Sequence, residues 1–125
     1  MGWHDWGNKP VFSTQGITSA PSTATLIGAI DSTVLGTKDL IGSQSRLFRV
    51  TWIVGCDTNA AWQLERAQSS TLADAVAETI WLRSPSNQSG QYVGTMNLER
   101  NDFLRARMAS TGANAAAYIQ AEPLI

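Results

Sequence analysis

The sequence predicts an all-β fold: a jelly-roll-like β-sandwich preceded by an extended N-terminal arm. Three observations predict it. Short stretches alternate apolar and polar residues with a period of two, as half-buried pleated strands do. Gly, Asn, Asp, Ser and Pro recur between those stretches and divide the chain into seven or eight strands. Only one stretch, "SSTLADAVAE" (69–78), fits helical spacing, with Leu72, Ala73, Val76 and Ala77 on one stripe and Ser70 or Thr71 placed to cap it. Strand spacing alone leaves an immunoglobulin-like sandwich open beside the jelly roll.

The elements follow in order. Residues 1–22 hold Gly, Ser, Thr, Asn and Pro with isolated aromatics and no period, which reads as an arm. The sandwich domain is expected over 23–125, opening with a strand in "TATLIGAI" that Asp31 and Ser32 end. Gly36 and Gly42 punctuate the loop that follows, with room for a short strand between them. "RLFRVTWIVGC" alternates most clearly, placing Phe48, Val50, Trp52 and Val54 on one face. The turn residues of "GCDTNA" lead into "AAWQLERAQ", with Trp62 and Leu64 facing in and Gln63 and Glu65 facing out, and the two strands are expected to form a hairpin. "TIWLR", "QYVGTMNLE", "FLRARMAS" and "AAAYIQAE" complete the set, with a tight turn at "RND" and Pro123 as the stop.

A chain of 125 residues buries a core without disulfides or a metal. The formal charge of −1 disfavours binding to nucleic-acid phosphates or an anionic membrane, both of which call for a basic excess. No signal peptide or membrane-spanning run is read, so the chain is expected to be made as a soluble protein. One histidine, His4, and one cysteine, Cys56, provide no Ser-His-Asp or Cys-His arrangement and no zinc site. Glu65, Glu78 and Glu99 lie at strand edges beside Arg or Thr and read as surface pairs, not as a glycosidase dyad. No phosphate-cradling glycine spacing occurs. The expectation is a non-enzyme with no cofactor and no metal.

Charged residues make up 15% of the chain against roughly 25% in average soluble proteins. Such a surface suits a sheet protein that covers itself with neighbours. Trp3, His4, Trp6 and Phe12 sit in the arm, outside the expected core of Phe48, Trp52, Trp62 and Tyr92, and are read as contacts to a partner. Arg105 and Arg107 share one strand face; with Tyr118 and Trp81 they are candidates for an oligomer interface, the carboxylates coming from Glu65, Glu99 or Asp102 of another copy. Trp81 points away from Ile80 and Leu82, and an exposed tryptophan there would alternatively stack on a sugar, as in a carbohydrate-binding module.

Residues 45–124 resemble small β-sandwich structural proteins of tailed-phage particles, in which a turn like "LERNDFLRARM" precedes a Thr/Ala-rich last strand ending in a form like "IQAEPL". The resemblance implies a head decoration, or cement, protein: a homotrimer of jelly rolls on the capsid surface of the virion, with terminal arms reaching major capsid protein subunits. Tail and fibre proteins share this texture. No catalytic residue is implied.

Overall fold

The computed structural model describes residues 11–18, 25–68, 76–86, 88–109 and 113–124. Eight strands form there: β1 (Phe12–Thr18), β2 (Thr25–Ile30), β3 (Ser45–Cys56), β4 (Ala60–Ala67), β5 (Val76–Ser86), β6 (Gly90–Glu99), β7 (Phe103–Met108) and β8 (Ala115–Pro123). They build two four-stranded sheets, ordered β1-β8-β3-β6 and β2-β7-β4-β5. Every recorded pairing is antiparallel: β1 with β8, β2 with β7, β3 with β6, β4 with β5, and across the wrap β3 with β8 and β4 with β7. The chain is thus one long eight-strand ribbon doubled on itself and rolled into a sandwich, which is the jelly roll.

Alternation places the core between the sheets. Phe48, Val50, Trp52 and Val54 of β3 and Ala117, Ile119 and Ala121 of β8 meet Trp62 and Leu64 of β4 and Leu104, Ala106 and Met108 of β7, all buried. Fully burying each large apolar side chain contributes about 1.5–3 kcal/mol.

Four expectations change. Phe12–Thr18, within the expected arm, is β1, an edge strand paired along its length with β8. Its neighbour β2 comes so close at Gly16 that a Cβ there would run into the Ile27 carbonyl oxygen, so that position holds no side chain. β3 and β4 are not a hairpin but lie in opposite sheets. Asp57, expected to tighten a turn, instead ties the β3–β4 connection to the loop before β8: its N–H donates to the Asn114 carbonyl at 3.0 Å, and its carboxylate accepts from Asn114 N and Nδ2 at 2.8 and 2.7 Å.

The third change is the loop after β2. It holds no strand but a helical turn, α1 (Ser32–Leu35), capped by the Asp31 carboxylate accepting from Thr33 N at 2.7 Å and stopped by Gly36 at φ 80°, followed by a 3-10 turn at Thr37–Asp39. The fourth is the helical stretch: 69–75 lie outside the described residues, and Val76–Glu78 already belong to β5. The turn at "RND" is borne out, with Asn101 at φ 67° and Asp102 N donating to Glu99 O at 3.0 Å.

Candidate functional site

Three places bring chemistry-bearing side chains together. The first is on β4 and β7. Glu65 was expected to face solvent, yet it is fully buried and its carboxylate accepts from Arg105 Nε and Arg107 Nη2. A shift in the β4–β5 register between Leu64 and Glu65 accompanies this placement, and Glu65 stands directly opposite Arg105 across β4 and β7. Arg105 has no exposed side-chain surface and Arg107 keeps 21%. The arginines expected at an oligomer interface are therefore paired inside their own domain, and Arg105 is withdrawn from the surface. The carboxylate they bind belongs to the same chain.

A second ionic group lies beside the first. Arg66 Nη1 donates to the buried carboxylate of Asp102 at 2.8 Å, which also accepts from Gln68 Nε2 and, at 2.8 Å, from Glu99 N. The Asp102 carbonyl accepts from the buried Thr37 hydroxyl, fastening the β6–β7 turn to the loop after α1. This arrangement is a brace, because every acid in it is committed to a donor. Among the described residues no group of three or more His, Cys, Asp or Glu could hold a metal ion. None of their helices is long and apolar enough to cross a membrane.

The second place is where β5 and β6 meet at the margin of the sandwich. Trp81 stacks on Tyr92 with centroids 6.0 Å apart and planes 24° from parallel, and Tyr92 in turn tilts against Trp52. The Arg83 guanidinium lies 5.9 Å from the Trp81 ring centroid. Trp81 shares its face with Leu64 through the β4–β5 register and is half-buried against the core. The expected flat, exposed stacking platform is thus turned inward, and it is Leu82, 70% exposed, that faces out.

The third place is the outer face of the first sheet. The register sets Ser13, Gln120, Thr51 and Val93 in one row across β1, β8, β3 and β6, and Gln15, Tyr118, Ile53 and Gln91 in the next. Tyr118 is half-buried near the centre, its hydroxyl donating to Gln120 Oε1 at 2.9 Å. Ile53 and Val93 are 41% and 51% exposed. A shallow, mainly apolar depression of about 210 Å³ opens between Gln15, Ile53, Ser89, Ala116 and Tyr118. On this face, among the described residues, Arg49 Nη2 pairs with Glu122 Oε2 at 3.3 Å. A polar cleft of about 300 Å³ lies elsewhere, beside α1, between Asp31, Lys38, Gln68 and Asn101.

Of the expected partner contacts, Phe12 is half-buried and packs against the chain's own core. Trp3, His4 and Trp6 lie outside the described residues. Cys56 ends β3, half-buried against the core, as a packing residue would.

No family model and no curated protein matches the chain. Solved structures with similar folds include a Bacillus endospore appendage protein that forms disulfide-linked pili, 14% identical, covering 95% of this chain and 93% of that one, with a TM-score of 0.42. Eiger TNF from S. frugiperda is 11% identical over 94% of both chains, with a TM-score of 0.43. The C-terminal CBM6 of LamC, a marine laminarinase from Zobellia galactanivorans, is 8% identical over 92% of this chain and 99% of that one, with a TM-score of 0.41. At these identities and TM-scores the likenesses transfer no residue role and no function to this chain.

Proposed function

We propose that the protein is a non-enzymatic virion component that decorates and stabilises a tailed-phage capsid by binding between major capsid protein subunits. In this reading the N-terminal segment is the anchor and the sandwich associates with further copies of itself. The observation that carries it is the outer face of the first sheet, where the two central rows present Ser, Gln, Thr, Tyr, Ile and Val and no charge. Depletion of charge with an aromatic near the centre is the composition of an interface core. The ionic groups support the same reading, since Glu65 and Asp102 are occupied by arginines that brace the fold. The sequence resemblance of residues 45–124 supplies the capsid.

Physically the role needs avidity. Modest contacts made by each anchor add through one rigid assembly, so the assembly holds neighbouring capsid subunits far more tightly than any single anchor does.

The test is location and truncation. Antibody labelling of particles from the virus that encodes the chain is expected on the capsid; labelling confined to tails, or absence from purified particles, overturns the reading. Removing residues 1–10, which spares β1, is expected to leave a folded protein that no longer binds capsids. Undiminished binding removes the anchor from the proposal.

A further inference from the structure

We infer that the outer edge of β6 pairs antiparallel with the same edge of a second copy, joining two four-stranded sheets into one of eight strands across a two-fold axis at Gly94. The inference stands on strand edges and is independent of the particle in which the protein resides.

A strand at a sheet edge presents unpaired N–H and C=O groups, and proteins blunt such edges with bulges, Pro, charge, shortness or cover. Three of the four edges here are blunted. β1 has seven residues and closes onto β2 where Gly16 meets Ile27. β2 has six residues and a register shift between Leu26 and Gly28. β5 has three register shifts, and carries Glu78, Arg83 and Pro85.

β6 differs in length, regularity and charge, and β5 reaches it only through the Arg83 and Trp81 side chains at Gly90 and Tyr92. It runs ten residues, "GQYVGTMNLE", without Pro, Lys or Arg and with one acid at its last position. Its pairing with β3 continues without a shift from Glu99 to Gly90, and among the described residues no strand lies on its other side.

The residue pattern also favours self-pairing. Opposed residues of an antiparallel pair share a sheet face, so a two-fold pairing must set odd positions against odd and even against even. With Gly94 on the axis, Val93 opposes the partner's Thr95, Gln91 opposes the partner's Asn97 and Tyr92 opposes the partner's Met96. β-Branched residues meet on the outer face, amides meet beside them, and two half-buried side chains meet on the inner face. Glu99 falls beyond the overlap, so no charge faces a charge. The contact specifies a dimer, where the sequence resemblance implies a trimer.

The experiment measures the solution mass of the full chain over a concentration series, with two double variants at exposed outer-face positions. The wild type is expected at twice the 13.5 kDa chain mass. Val93→Lys with Thr95→Lys sets ammonium against ammonium at both symmetric pairs and is expected to weaken the dimer at least about tenfold with an unchanged circular dichroism spectrum. Val93→Lys with Thr95→Glu sets opposite charges face to face and is expected to restore it. A monomeric or trimeric wild type overturns the inference, as does a lysine pair that leaves the mass unchanged or a Lys/Glu pair that behaves like the lysine pair.

Discussion

Each sheet carries an arginine–glutamate pair directly opposed across its two central strands: Arg49 with Glu122 between β3 and β8, and Arg105 with Glu65 between β7 and β4. The chemistry is the same and the surroundings are opposite. Arg49 and Glu122 keep 51% and 35% of their side-chain surface, whereas Arg105 and Glu65 keep none. An exposed pair exchanges one set of solvated charges for another and contributes little. A buried pair adds little net stability relative to an apolar pair, but the buried Glu65 carboxylate makes Arg105 and Arg107 depend on its presence, since removing it strands positive charge out of water. The first sheet is therefore free to change at its ion pair, and the second is committed.

The largest expected effect tests that commitment. Glu65→Ala takes away the carboxylate that Arg105 and Arg107 share and is expected to cost about 3–5 kcal/mol in urea unfolding; replacing Glu65, Arg105 and Arg107 together by Met is expected to cost less than the single change. A single change that costs under about 1 kcal/mol would put the two pairs on the same footing.

Next is the margin that joins the sheets. Gly16→Ala pushes a methyl group into the Ile27 carbonyl and is expected to cost about 1–3 kcal/mol, read as a fall in the denaturation midpoint. The smallest effect belongs to the first sheet: Arg49→Ala is expected to cost less than about 1 kcal/mol, and less still in high salt, when thermal melts are compared at two ionic strengths.

The contrast also shows which parts of the molecule were legible in sequence. The alternation in β3 and β8 was readable because each buries one face, so Trp52 and Ile119 announce the core by their spacing. Glu65 was misread because the β4–β5 register shift beside it, and an arginine forty positions away in the chain, decide its side. Neither is a local property. The hairpin expected between β3 and β4 failed for a similar reason, as the turn residue Asp57 bonds Asn114 in another loop. β1 was hidden because Gly16 must be bare against the Ile27 carbonyl of β2, a long-range contact, and "STQG" looks like a linker. The neutral rows around Tyr118 could be read only once the register had assembled them from four strands.

The doubled ribbon also dictates a time order during synthesis. β8 lies between β1 and β3, so the first sheet lacks an inner member until the last strand has left the ribosome. β4 and β5 can meet early, but β1 must wait for a partner about a hundred residues downstream, a topology of high contact order and slow folding. A nascent or stalled chain would expose the sides of β3 and β1 that β8 later occupies, making the final nine-residue strand the step that both completes the domain and ends its exposure to aggregation.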